Sequence, residues 1–154
     1  MITIRQARFP EDLETVRALF RDYSRLLGED LCFQGFTEEL AGLPGRYAPP
    51  GGLVLLGMAG DRAAGCVALR DQGGGDCEMK RLFVAPAARG LGLGRALCEE
   101  LLLRARALGH RRMRLDTLAR LREALALYDA LGFRPIPPYY DNPLAGVVFL
   151  ALDL

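Results

Sequence analysis

Tryptophan is absent from this chain, and lysine and histidine occur once each, as Lys80 and His110. A zinc centre takes about four clustered ligands. The four cysteines, Cys32, Cys66, Cys77 and Cys98, form no C-x-x-C pair and have that single histidine for company. Neither a metal site nor a dithiol redox pair is expected. Cys66 and Cys77 lie in strand-like runs and Cys98 in a helical one, where a free cysteine serves as a small buried hydrophobe. Long apolar stretches are missing as well. The longest, from Leu53 to Ala59, is far short of the roughly 20 residues a membrane helix needs. Nor is there a block of like charge: 20 basic residues stand against 19 acidic ones, for a formal net charge of +1. That balance argues against a protein that depends on phosphate-backbone contacts. The opening residues MITIRQARFPED reach acids before any apolar core, and read as no signal peptide. These absences leave a cytoplasmic protein, with neither a nucleic-acid nor a membrane partner, as the expectation.

What is present is 154 residues, 51% of them hydrophobic, with 18 glycines and 9 prolines. At roughly 100–200 residues per domain, this is one domain over residues 1–154. A chain of that size buries about 70% of the surface it exposes unfolded, so it needs no disulfide or metal staple. All of its basic residues but Lys80 are arginine, which reads as a coding preference.

Residues 2–7 alternate apolar and polar, the mark of a half-buried strand. Pro10 suits a first helical turn, and Glu11 and Asp12 complement the positive end of a helix dipole. Leu13, Val16, Phe20, Tyr23 and Leu27 then recur at helical steps, a single apolar stripe that Gly28 ends. Residues 28–52 are irregular, with a short helix at 37–40. Residues 53–59 and 64–69 form a hairpin through Gly60 and Asp61, and a turn at 72–76 leads into a strand over 77–84. A helix to about Leu108 follows, with Leu93, Leu97, Leu101 and Leu108 as its stripe and Gly109 as a left-handed cap. A strand over 112–117, a helix carrying Leu121, Leu125 and Tyr128 and ended by Gly132, and strands over 133–136 and 146–152 complete the order. The fold class is α/β, a mixed and mostly antiparallel sheet with flanking helices.

The most informative stretch is Arg89-Gly90-Leu91-Gly92-Leu93-Gly94. It follows a strand and opens a helix, so several backbone N–H groups converge at a positive helix end, and glycines let an anion approach the main chain. That chemistry is phosphate or pyrophosphate binding. A Walker loop requires Gly-Lys-Ser/Thr, whereas Arg95 and Ala96 stand here. A dinucleotide fold wants Gly-x-Gly-x-x-Gly tight against a strand, with an acid about 20 residues on. Asp116 is tolerably placed for the acid, but the glycines are at 90, 92 and 94. An NAD(P)-type oxidoreductase module is therefore the second reading.

Two further observations sharpen the first. Leu82-Phe83-Val84-Ala85-Pro86, followed by Arg89-x-x-Gly92-x-Gly94 and a helix, resembles the acetyl-CoA-binding motif of the GNAT superfamily of N-acetyltransferases. Residues 124–133, with Tyr128 ahead of Gly132-Phe133, resemble that family's second motif. The resemblance implies a splayed parallel pair of strands, here 77–84 and 112–117, with the pantetheine arm in the gap. Backbone groups of Leu82, Phe83 and Val84 would bond the pantetheine amides, and the Val84 N–H would polarise the thioester carbonyl. Amides of Arg89, Gly90, Leu91, Gly92, Leu93, Gly94 and Arg95 would wrap the pyrophosphate. Arg104, Arg106, Arg111, Arg112 and Arg114 form either a solvated face or a contact for the adenosine 3′-phosphate. Where the family often has an asparagine, seven residues before the tyrosine, this chain has Leu121.

Attack of a neutral amine on a thioester needs a base for the amine proton and an acid for the thiolate. Strand alternation places Glu78, Lys80, Leu82 and Val84 on one face, and the resemblance makes Glu78 the carboxylate base. It makes Tyr128 the acid; a phenol, with a pKa of about 10, is protonated at neutral pH. The reading is direct acetyl transfer from acetyl-CoA to a primary amine of a small molecule or peptide, without metal. A non-catalytic acyl-CoA sensor and a homodimer stay open. The acceptor would lie against residues 28–50 and 137–143, where Phe33, Phe36, Tyr47, Tyr139 and Tyr140 offer walls. Glu29, Asp30, Glu38, Glu39 and Asp141 offer charge there.

Overall fold

A computed structural model describes residues 1–154. Strand β1 (Ile2–Gln6) leads into helix α1 (Leu13–Leu27), which buries Val16, Leu19, Phe20 and Leu27. Pro10 falls in the turn ahead of α1, not within its first turn. Asp12 ties the two elements together, accepting from Arg5 at 2.7 Å and from the Arg8 amide at 2.7 Å. Gly28 closes α1 in the left-handed conformation that the sequence predicts. The short helix α2 (Phe36–Ala41) stands between two 3₁₀ turns. Strands β2 (Leu53–Ala59), β3 (Arg62–Gly73) and β4 (Asp76–Val84) form an antiparallel meander. Helix α3 (Leu93–Ala107) crosses over to β5 (Arg112–Leu118), and helix α4 (Arg122–Leu131), β6 (Arg134–Pro135) and β7 (Val147–Asp153) follow.

The sheet runs β1-β2-β3-β4-β5-β7-β6, and only β4 and β5 are parallel. One apolar core lies between the sheet and α3 with α4, the other between the sheet and α1. Within α3 the stripe of Leu93, Leu97 and Leu101 ends on Ala105; Leu108, expected in it, stands 43% exposed just beyond the helix. The expected strand at 133–136 shrinks to Arg134–Pro135, since Pro135 and Pro137 have no N–H to donate. All three strand and helix cysteines are buried as expected. Burial pushes the Cys77 and Cys98 thiols up to about 12, so neither supplies a thiolate near neutral pH.

Three details of this sheet position the site. Strand β4 pairs with β5 only from Asp76 to Glu78, opposite Arg112 to Arg114, and then the two diverge. The register of β4 against β3 also slips between Cys66 and Ala68, with Arg81 at φ 62°. This bulge overturns the expected single face. Met79, Leu82 and Val84 pack on the α3 side, while Lys80 and Arg81 bond groups of residues 28–50 on the α1 side. Glycine keeps the start of α3 close: a Cβ on Gly57 would stand 2.6 Å from Leu93, and one on Gly65 2.6 Å from the Phe83 carbonyl.

Candidate active site

Where β4 and β5 part, an open groove of about 760 Å³ runs over the start of α3 and the start of α4. Leu82, Val84, Gly90, Gly92, Gly94 and Leu121 are among its walls. The amides of Gly90 to Arg95 have no acceptor within the chain, because the first N–H groups of a helix have no intrahelical partner. Gly90 and Gly92 take φ of +80° and +78°, and a Cβ on either would meet nothing within 4 Å. The loop is therefore a row of open donors at a positive helix end, as its letters predict. Leu91 points outward, 60% exposed, and Arg95 pairs with Glu99 at 3.6 Å; neither side chain borders the groove. Leu93 is buried beneath it.

At Val84 the N–H of the strand edge is also open, while the carbonyl accepts from Arg89 at 3.4 Å. The Ala85 amide donates to Ala64, and Phe83 lies opposite Cys66. Antiparallel alternation then turns the Val84 N–H away from β3 and toward the gap. By the same alternation the Phe83 backbone faces β3, so the expectation that Phe83 bonds pantetheine fails. None of Arg104, Arg106, Arg111, Arg112 and Arg114 borders the groove. Arg104 bonds Glu100 at 2.7 Å, Arg112 bonds Asp76 at 3.0 Å, and Arg114 stacks over Tyr139 at 4.1 Å. The arginines that do line the groove are Arg89, Arg120 and Arg122.

Inward of the groove, between the diverging strands, is a slot of about 70 Å³. Tyr23, Leu82, Leu121 and Ala124 border both spaces, so the two are neighbours that share a wall. Tyr128 lines the slot from the α4 side, its ring against Phe133. Burial raises its pKa well above that of an ordinary phenol, which keeps the hydroxyl a donor. Lys80 and Asp116 line the slot from the opposite side, 3.4 Å apart.

Glu78 does not border the slot, because it sits one step further along β4 where the strands still pair. Its carboxylate is fully buried and accepts from Arg70 at 2.7 Å and from the Tyr139 hydroxyl at 2.5 Å. Around it lies a polar layer that the sequence reading missed. Tyr140 and Asn142 donate to Asp116 at 2.7 and 3.1 Å. Gln34 donates to the Tyr140 hydroxyl at 3.0 Å and accepts from Arg81 at 2.8 Å, while Arg81 also grips Glu39 through two bonds of 2.9 Å. Tyr139 and Tyr140 thus fall where the acceptor walls were expected, whereas Phe36 and Tyr47 are core residues. The one available signal was Lys80, the chain's lone lysine, set within a strand between Met79 and Arg81.

A forked sheet with a glycine-rich helix start at the fork defines an N-acetyltransferase fold. Comparison with an acetyltransferase of Staphylococcus aureus bears this out at a TM-score of 0.82, over 99% of both chains at 18% identity. Residues 13–133 match the model of the Acetyltransferase (GNAT) family. An N-acetyltransferase of Schizosaccharomyces pombe is 41% identical over 99% of this chain and 95% of its own length. The fold also matches a Salmonella typhimurium structure solved with its cofactor acetyl-CoA, at 22% identity and a TM-score of 0.73 over 99% of this chain and 94% of that one. The chain belongs to the GNAT family and is an N-acetyltransferase. The family uses acetyl-CoA as its donor. The oxidoreductase and sensor readings fall away. No helix is long and apolar enough to cross a membrane.

Proposed function

We propose that this protein transfers an acetyl group from acetyl-CoA directly to a primary amine of a small molecule or peptide. The observation that carries the reading is the row of unpaired amides from Gly90 to Arg95, opening onto a groove that shares Tyr23, Leu82, Leu121 and Ala124 with the slot. Acetyl-CoA supplies an activated thioester acyl group. The amides of residues 90–95 would hold its pyrophosphate, Arg89, Arg120 or Arg122 its remaining phosphate, and the Val84 edge its pantetheine arm. Arg120 bonds the Leu27 carbonyl and Glu29 across the groove wall, and Arg89 bonds the Val84 carbonyl at 3.4 Å, which leaves Arg122 the freest of the three.

Tyr128 gives its proton to the departing sulfur; burial supports this by keeping the phenol protonated. The acceptor lies on the α1 side, between residues 28–50 and 137–143. An amine proton there reaches Glu78 through the Tyr139 hydroxyl, which accepts it on oxygen while passing its own proton to the carboxylate. No route through bulk water is needed for a base that is fully buried.

Gly94 gives a clean test. A Cβ there would meet Val84 at 3.6 Å and Leu127 at 3.9 Å, both ordinary contacts, and no left-handed φ is involved. Gly94→Ala should therefore fold with unchanged thermal stability. If pyrophosphate lies against this backbone, calorimetric affinity for acetyl-CoA should drop by about tenfold or more. Unchanged affinity would defeat the assignment, and an amine panel read by thiol release then identifies the acceptor.

A further inference from the structure

Lys80 takes no part in the chemistry described so far, yet its surroundings are unusual for a lysine. Its side chain is 5% exposed, and lysine is among the residues least often buried unless paired. The neighbours of its nitrogen are all acceptors: Gln34 Oε1 at 3.3 Å, Asp116 Oδ1 at 3.4 Å and Glu78 Oε2 at 4.0 Å. An environment of three acceptors, two of them anionic, calls for an ammonium ion with three donors. Only two of those donors have a partner within hydrogen-bond reach, and both bonds are long for an ammonium beside carboxylates. The third meets nothing nearer than Glu78, whose oxygens already accept from Arg70 and Tyr139.

The carboxylates nearby, by contrast, are well satisfied. Asp116 accepts from Tyr140 and Asn142 at 2.7 and 3.1 Å. The cation is the under-coordinated member of this layer, and it lines the slot. A space of about 70 Å³ suits a two-carbon acyl group and is too small for a carboxylate-bearing acceptor beside it. Tyr128 stands across the same slot, where a leaving sulfur would lie.

We propose that Lys80 is a catalytic residue: its ammonium ion donates to the carbonyl oxygen of the acyl group in the slot and stabilises the negative charge that grows there during transfer. This rests on the reading that the groove delivers the acyl end of acetyl-CoA to the slot. Burial lowers the pKa of Lys80, against the pull of Glu78 and Asp116 and with Arg70 and Arg81 adding to the fall. A more acidic ammonium is a stronger donor, and a fixed charge in a water-poor slot acts at little reorganisation cost.

The experiment compares calorimetric binding of acetyl-CoA with that of S-ethyl-CoA, the thioether that lacks only the carbonyl oxygen. Wild-type protein should prefer acetyl-CoA by about tenfold; Lys80→Met, which offers no donor, should bind the two alike, and Lys80→Gln, a neutral donor, should show a smaller preference than wild type. Turnover in both variants should fall by roughly 10²-fold, with the KM of the amine unchanged. Equal wild-type binding of the two compounds overturns the role of Lys80 and leaves the groove assignment intact, whereas binding of neither overturns both. A variant that keeps the preference, or one that raises only the KM of the amine, assigns Lys80 to the acceptor and overturns the proposal. So does acetyl-Lys80 forming at the rate of turnover, which peptide mass mapping would locate at the chain's one lysine.

Discussion

Replacing Tyr128 by phenylalanine removes one oxygen atom from the slot and leaves the ring packed on Phe133, 5.7 Å between centroids. A tyrosine kept for packing alone tolerates that change. A general acid does not, and Tyr128→Phe should lose turnover by about 10²-fold, the lower end of the range for such groups because coenzyme A thiolate is a weak base. Acetyl-CoA affinity, measured by calorimetry on the same sample, should be retained, since the lost bond matters as charge develops on sulfur. Glu78→Gln keeps acceptors for Arg70 and Tyr139 but can no longer take up a proton. Its turnover should be depressed most at low pH, where little of the amine is already neutral, and should approach the wild-type rate as pH rises. A pH–rate profile running parallel to wild type would remove Glu78 from the proton route. These two proposed roles rest on residue type and motif position. Lys80, Asp116 and Gln34 were not, because they meet across 36 and 46 residues of chain and no local pattern marks such a meeting.

Among the elements, the helix ends were the most readable part. Gly28, Gly109 and Gly132 all adopt positive φ where the periodicity stops, because a left-handed cap is a local requirement that glycine meets best. The bulge in β4 was not readable. A period of two contains no letter for an extra residue, and the residue at positive φ is Arg81, which two bonds to Glu39 and the rings of Tyr23 and Phe36 hold in place. The junction of β1 and α1 carries a prediction of its own. Bonds from Arg5 above all, and then from the Arg8 amide, hold the Asp12 carboxyl down at about 2, against 3.8 for the free group. A carboxylate depressed on folding adds stability above its unfolded value, and that stability is lost as pH falls through the folded one. Asp12→Asn should therefore unfold at lower urea than wild type near neutral pH. The difference is on the order of 1 kcal/mol or less, because Arg5 is 37% exposed and its attraction is screened. The two urea midpoints should converge as pH drops from about 4 to about 2.

For the molecule as a whole, the mixed sheet and its order of elements followed from composition and periodicity, whereas the place of the groove followed from the resemblance of two motifs to a known family. What those could not supply was the sidedness of β4, and with it the polar layer that borders the slot. The fork itself has a mechanical consequence. The four strands before it and the three after it are joined edge to edge by three residue pairs alone, Asp76 to Arg112 through Glu78 to Arg114, with the Arg112–Asp76 ion pair at the same end. Every other seam within the sheet, apart from the short one to β6, carries at least five pairs. The sheet is thus a pair of leaves on a short spine, and a molecule lying along the open edge of Val84 would act as the clasp. Slowed amide exchange on both sides of the fork when acetyl-CoA is added would register the clasp closing.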